Sequence, residues 1–304
     1  MALGTNNTTA SVAGNFIPEL WSNEVIGSYK ANLVTANLVS KISHKGKKGD
    51  SIHIPTPSRG TASAKGAGSQ VTLSAATNSV INVSIDKHYE YSKLIEDIAE
   101  VQALSSMRSF YTNDAGYALA KQVDSDLLAL AEGFQGGATT DGTYGSAVIG
   151  GDGTTAFDGT NESDITDAAI RAMILSLDNA DVPMDGRCLI IPPVVANDLL
   201  GINRFTEQQY IGSGDAIKTG KIGMIYGVDV FISSNCPTVT AGAGTERVGL
   251  LMHKDAMCLA EQVGIRSQTQ YKQEYLGTLY TADTIYGVKE LRNDAAVAFV
   301  VPAA

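Results

Sequence analysis

Chemistry would have to be built from nucleophiles, metal ligands or phosphate-binding glycines, and this sequence scatters all of them. The four histidines are His44, His53, His88 and His253. None has the H-x-x-x-H or Cys-paired spacing that puts two ligands on one side of a metal. His53 and His88 fall on opposite limbs of an alternating segment, where they would face each other across a hairpin base; strand histidines in such places usually serve packing or surface. His253 and Cys258 stand apart from other ligand types. Cys188, Cys236 and Cys258 are odd in number and lack C-x-x-C spacing. They read as small buried hydrophobes of a reducing compartment rather than as a disulfide framework or zinc site. The stretch from Gly212 to Thr219 comes nearest to a phosphate-wrapping loop, but Ile217 stands where the second glycine must be. The Gly-x-Gly pairs at 66/68, 151/153 and 242/244 lack the third glycine of a dinucleotide fingerprint. G-x-S-x-G, the nucleophile elbow, is absent. Asp152, Asp158, Glu162 and Asp164 match no EF-hand pattern and read as a solvated loop. The basic run Lys41, Lys45, Lys47, Lys48 is short, has no interleaved aromatics and is followed by Asp50, so it reads as a solvated turn or a charged ledge. No catalytic residue, metal or cofactor is expected, and the chain is not expected to be an enzyme.

Bulk properties narrow the classes further. The chain has 304 residues, of which 44% are hydrophobic and 18% charged. That is enough for about two domains with their own cores. Lys and Arg number 22 against 32 Asp and Glu, a net charge of −10. Such a balance makes a poor general binder of nucleic-acid phosphates. No apolar run approaches the ~18 residues of a membrane span, and the start Met-Ala-Leu-Gly-Thr-Asn-Asn is not that of a secretory signal.

What remains is architecture. Residues 19–30 could form a short helix with Leu20, Val25, Ile26 and Tyr29 on one side, packing either on its own domain or, as an arm, on a neighbour. Residues 49–91 alternate as a long β-hairpin: Ile52 and Ile54 outward, Ile81, Val83 and Ile85 on the return. Its tip, Ser58–Ser69, has almost nothing to bury, so it is either mobile or seated on another molecule. From Leu94 to Phe134 apolar residues recur every three or four positions, predicting a short helix at 93–103 and a long one near 106–134 that acts as a strut. Residues 133–163 read as a Gly-, Thr- and Asp-rich surface loop. Ile165, Ala169, Ile170, Met173, Ile174 and Leu177 make a helix face, Cys188–Ile191 a buried strand, and Pro192-Pro193 opens a helix through Leu200. Strands follow at 228–232, 248–252, around 263–271 and at 296–301. An arm, an unsupported hairpin and a strut suit a chain that packs on copies of itself.

Four stretches carry a resemblance. They are Phe16–Trp21 through Leu33, Gly186–Pro193 with Leu199-Leu200, Gly220–Phe231 with Ser233-Ser234-Asn235, and His253–Ala256 through Thr284–Val288 to Asp294. In order and spacing this set resembles the major capsid proteins of tailed bacteriophages, whose fold is the α+β Hong Kong 97-type capsid fold. The resemblance implies an N-terminal arm at 1–40, an extended hairpin loop at 41–91 that overlaps an adjacent subunit, and a peripheral domain with a spine helix at 92–135. It further implies an axial domain at 136–260 and C-terminal strands of the peripheral domain at 261–304. The function implied is self-assembly as pentamers and hexamers into an icosahedral shell around double-stranded DNA, bound without sequence specificity. Scaffolding, portal and cement proteins are the implied further partners, the virion the implied location after assembly in the host cytoplasm, and no membrane is involved. Arg59 and Lys65 lie in the implied inter-subunit hairpin tip. Some members of the family join subunits by a Lys–Asn isopeptide bond, for which Lys65 is the donor candidate; no acceptor is matched by motif. The negative charge would give a shell lining little grip on DNA that must later leave. An encapsulin-type protein shell is the alternative within the same fold, and a soluble enzyme whose site forms only in three dimensions is the alternative outside it.

Overall fold

The computed structural model describes residues 34–43, 49–57, 60, 62–71, 73, 78–98, 107–136, 149–150, 164–202, 223–241 and 244–302. The helix expected at 19–30, the phosphate-loop candidate at 212–219, Lys45, Lys47, Lys48 and most of the 133–163 loop lie outside these.

Two sheets share one long helix. The first has four strands in the order β1 (Ser40–Ser43), β11 (Met257–Lys272), β12 (Gly277–Glu290), β4 (Lys87–Glu96). β11 and β12 form a long antiparallel hairpin, β4 pairs antiparallel with β12, and β1 runs parallel to β11. The period of two gives this sheet distinct faces. Ala282, with Tyr89, Tyr91 and Tyr280, packs on Ala115 and Leu119 of the helix α2 (Met107–Ala129). Ile285, Ala260 and Cys258 point the other way, toward a separate two-stranded ribbon of β2 (Ser51–Pro57) and β3 (Asn78–Ser84).

Two expectations change here. The return limb of the hairpin ends at Ser84, not at 91, and the segment expected to be helical from 93 is strand as far as Glu96. β4 bonds to β12 along its whole length, from Lys87 opposite Tyr286 to Glu96 opposite Gly277. Tyr89 and Tyr91 alternate with His88 and Glu90, and that alternation seats both rings beneath α2. Leu94, which opened the apparent helical stripe, faces away and is 40% exposed. Helical residues begin at Asp97, and 99–103 lie outside the described residues.

α2 continues into a 3-10 segment, Leu130–Gly136, so the strut expected at 106–134 is present. Its 23 residues span about 34 Å. Beyond Leu119, the buried side chains Leu127, Leu128, Ala131 and Phe134 turn to the second sheet and the main core.

That sheet has the order β5 (Ile149–Gly150), β13 (Ala296–Pro302), β10 (Gly244–His253), β6 (Arg187–Ile191), β8 (Val228–Ile232), β7 (Met224–Ile225), with β9 (Thr238–Ala241) on the far end of β10. All five residues of β6 are buried, as its unbroken apolar run requires of a central strand. The expected helices flank it. α3 (Asp167–Asn179) starts at Thr166, whose Oγ1 accepts the Ala169 N–H, and buries Ala169, Ile170, Met173 and Leu177. α4 (Pro193–Gly201) starts on Pro193. Tyr226 and Gly227 both take positive φ, 50° and 81°, the turn that matches strand twist between β7 and β8. The closing strand departs from the expected grouping at 261–304. β13 leaves β11 and β12 and enters the seven-stranded sheet beside β10, with Ala296–Val301 buried throughout. A strand apolar on both faces can be satisfied only inside a core covered on both sides, which the seven-stranded sheet supplies along the whole of Ala296–Val301.

Gly249 of β10 lies opposite Phe299 of β13, and the Phe299 ring occupies the space a Cβ would need. Phe299 is buried and has nowhere to go. Gly249→Val should therefore destabilise the chain by about 1–3 kcal/mol, read as a lower urea midpoint with unchanged slope. Phe299→Leu in the same background should recover part of the loss.

Candidate subunit-joining hairpin

The ribbon of β2 and β3 is anchored only at its base. There Val83 is fully buried and Ile85 nearly so, and with Ile52 and Ile54 they cover Ile42, Cys258, Ala260 and Ile285 of the four-stranded sheet and Leu291 just beyond it. Hydrogen bonds hold the base: Ile85 N–H donates to Asp50 O at 2.7 Å, and the Gln262 side-chain Nε2 donates to Gly49 O at 3.1 Å. β3 passes so close over β12 that a Cβ on Gly287 would penetrate the Ser84 carbonyl. This is a close backbone approach that only glycine permits.

Beyond the base the ribbon leaves the body. Val80 is 54% exposed, Val71 62% and Leu73 91%. Lys65 is exposed in the tip. Arg59, the other tip residue singled out from the sequence, lies outside the described residues. Exposure extends past the tip read from the sequence, Ser58–Ser69, to Val71 and Leu73, whose alternation beyond Ser69 is the signal for it.

The face beside the anchored base carries a polar cluster. Arg266 Nε and Nη2 each donate to Asp283 at 2.8 Å, and His88 Nε2 stands 3.2 Å from the same carboxylate. The Arg266 hydrogen bonds, against some burial and with help from His88, hold the Asp283 carboxyl below its ordinary range. His53 instead meets Asn82 across the ribbon. The two strand histidines therefore do not face each other: they lie on different sheets because β4 left the hairpin.

Elsewhere among the described residues, the three cysteines and His253 are buried. Burial pushes the Cys188 and Cys236 thiols up to about 12 and Cys258 to about 11, so they stay protonated and weakly nucleophilic. His253 is buried; its Nδ1 accepts the Asp255 N–H and its Nε2 meets Asp185 O at 3.0 Å. A cavity of about 270 Å³ lies between α1 (Thr35–Leu38), α2 and the β11–β12 hairpin, walled mainly by Ala120, Val123, Leu259 and Tyr286. Of the two carboxylates on its wall, Asp124 and Glu261, Asp124 is wholly buried and accepts Thr35 N–H at 2.8 Å and Asn235 Nδ2 at 3.0 Å. Burial, then the Asp126 carboxylate it donates to, pushes the Tyr286 hydroxyl up. Among the described residues no group of three or more His, Cys, Asp or Glu could hold a metal. What the arrangement can do is hold an exposed limb away from the body at a fixed angle.

The family model for phage capsid protein matches residues 96–299. The chain belongs to the phage capsid protein family. Solved structures agree over nearly its whole length. A structure from Mycobacterium phage Che8 is 26% identical, with 94% of this chain and 97% of that one covered at a TM-score of 0.73. The capsid structure of the cyanophage P-SCSP1u is 20% identical, covering 99% and 97% at 0.77. The capsid asymmetric unit of cyanophage Pam1 is 15% identical, covering all of both chains at 0.72. No curated protein matches the chain in sequence. The fold is the α+β Hong Kong 97-type capsid fold, and this capsid protein is a structural component of the virion.

Two expected outcomes test this anchorage. Gly287→Ala should lift the hairpin base, seen as faster hydrogen exchange over 81–85, while Gly60→Ala, with open space at its Cβ, should change nothing there. Asp283 has a lowered folded pKa, so its contribution to stability is complete above the unfolded value of about 4 and lost as pH falls through the folded one. The melting-temperature gap between the wild type and Asp283→Asn should be constant above about pH 5 and shrink in stronger acid.

Proposed function

We propose that this chain is the major capsid subunit of a tailed phage, assembling as pentamers and hexamers into an icosahedral shell around double-stranded DNA. The observation that carries this reading is coverage. The family match takes in 204 residues, from 96 to 299, and the capsid chains it aligns with are covered at 97% and 100% of their own length. A shared piece of fold would leave either partner with large unmatched regions.

The parts then have roles. Residues 1–40 are the arm, 41–91 the extended loop that reaches an adjacent subunit, and 92–135 the peripheral domain with the spine helix. Residues 136–260 form the axial domain that meets around the five-fold and six-fold axes, and 261–304 return to the peripheral domain. β13, within that last stretch, joins the sheet of the axial part. Lys65 and Arg59 are placed in the loop tip that touches the neighbour. The subunit takes up DNA without sequence reading, and its net charge of −10 keeps the grip on phosphates weak. Scaffolding and portal proteins supply what the chain does not, assembly runs in the host cytoplasm, and no chemical step is catalysed.

Light scattering and negative-stain microscopy on the purified full-length chain test this. Closed shells or rings of five and six are expected, with DNA in particles recovered from infected cells. Shells filled with protein cargo and no DNA would turn the reading to an encapsulin. A monomer that stays monomeric even with its scaffold would overturn it.

A further inference from the structure

Asp124 is wholly buried, and its partners among the described residues carry no charge. The Thr35 N–H serves one carboxylate oxygen and the Asn235 amide the other. A carboxylate offers about four acceptor sites in all. A charge held out of water is costly until an opposite charge or enough donors meet it. The nearby cations are engaged elsewhere: Lys87 pairs with Asp126 at 3.2 Å, and Arg247 donates to the Cys236 carbonyl at 3.0 Å. Thr35 Oγ1, on the residue whose N–H reaches Asp124, is itself sealed from solvent without a hydrogen-bond partner. Two polar groups side by side are thus incompletely served.

Asp124 is also on the wall of the cavity of about 270 Å³ between α1, α2 and the β11–β12 hairpin. The rest of that wall sorts by kind. Ala120, Val123, Leu259 and Tyr286 make an apolar body, and Glu261 adds a second carboxylate. Lys41 is the one cation of the lining; it is exposed, and its Nζ donates to Asn37 Oδ1 at 3.1 Å. Ile265, also on the wall, is 51% exposed, so the cavity opens to solvent on that side. Two carboxylates against one ammonium leave a negative wall around a mostly apolar space. The volume falls just below the ~300–1,000 Å³ of drug-sized sites, which sets the size of what fits.

We propose that this cavity binds a small organic cation, an ammonium or amidinium on a short apolar body. The body packs on Ala120, Val123 and Leu259, and the charged group faces Asp124 and Glu261. Such a group carries several N–H donors, enough for the Asp124 carboxylate and the Thr35 hydroxyl beside it, and its hydrogen bonds to a carboxylate are of the stronger, charge-assisted kind. A neutral or anionic molecule of the same shape gains the apolar contact alone. The bound cation bridges α1, α2 and the β11–β12 hairpin, so it stabilises the folded chain in proportion to its occupancy. The proposal stands apart from the capsid-subunit reading and goes beyond it.

Three probes of one shape and different charge test it on the full-length chain: benzamidine, benzamide and benzoate. Equilibrium dialysis should give benzamidine a dissociation constant of about 1 mM or tighter, a reachable affinity for so few heavy atoms. Benzamide and benzoate should bind at least about tenfold more weakly. Asp124→Asn keeps the size of the side chain and removes its charge, and Ala120→Leu fills the apolar body; each should weaken benzamidine about tenfold or more. A second measurement needs no variant and so does not depend on their folding. Saturating benzamidine should raise the melting temperature of the wild type and slow hydrogen exchange over 35–38 and 120–124. Absence of benzamidine binding overturns the proposal, as does equal binding of benzamide. Binding that neither variant weakens, or that leaves exchange over 35–38 and 120–124 unchanged, places the ligand elsewhere and overturns the site. None of these outcomes bears on shell assembly, so the capsid reading is tested separately.

Discussion

Everything else in the subunit hangs on how α2 is held between two sheets. Two aspartates on its last turns face opposite ways. Asp124 is wholly buried and takes hydrogen bonds from the Thr35 backbone and the Asn235 side chain. Asp126 takes the Tyr286 hydroxyl at 2.7 Å and Lys87 Nζ at 3.2 Å. One carboxylate thus ties the helix to the start of the described chain and to the loop after β8. The other ties it to the four-stranded sheet. Buried carboxylates are costly unless their lone pairs are engaged, so each fixes the rotation of α2 as well as its position. The apolar stripe alone would tolerate sliding: Leu119 serves one sheet and Leu127, Leu128 and Phe134 the other. The polar pairs select one register out of several that bury similar area.

Legibility in the sequence followed period and burial. Where one period held, or an unbroken apolar run marked a strand buried on both faces, the elements could be read, as in α3 with its capping Thr166, the five-residue run of β6, the Pro193 start of α4 and the length of α2. The β4 segment failed because two signals overlapped. Tyr89 and Tyr91 alternate as a strand, while Leu94 and Ile98 fall four apart as in a helix and continue the phase of α2. Pairing to β12 decided between them, and that partner lies some 190 residues later in the chain. β13 was legible as a strand but not as a member of the seven-stranded sheet. Its apolar run says that both faces are covered; it does not say by what.

The candidate site was half legible for a different reason. A hairpin too long to support itself can be seen in sequence, since Ser58–Ser69 offers nothing to bury. Its anchorage could not be seen. Gly287 reads as one of many glycines until β3 is laid across it, and Asp283 as one of many acids until Arg266 and His88 converge on it from the neighbouring strands. The same applies to the chain's chemistry. Among the described residues, His88, His253 and the buried Asp124 each have partners in space that the sequence does not show.

Under the proposed function the hairpin would also set the energetic character of assembly. Burying Leu73 and Val71 on another copy is worth about 1.5–3 kcal/mol each at full burial. Joining two free chains costs an estimated ~4–15 kcal/mol in lost translation and rotation. A limb of this size therefore cannot hold a dimer by itself, and exposing Leu73 in the free subunit costs solubility less than a large patch would. In the proposed closed shell the balance would differ. If each subunit both gives a limb and receives one, then once neighbours are held by other contacts the next docking is intramolecular. Small apolar contacts with complementary charge are then enough, and they remain weak enough to be remade when placed wrongly. An anchored base and an exposed limb suit this proposed division: Val83 and Gly287 fix where the limb leaves the body, and a neighbouring copy would supply what it lacks.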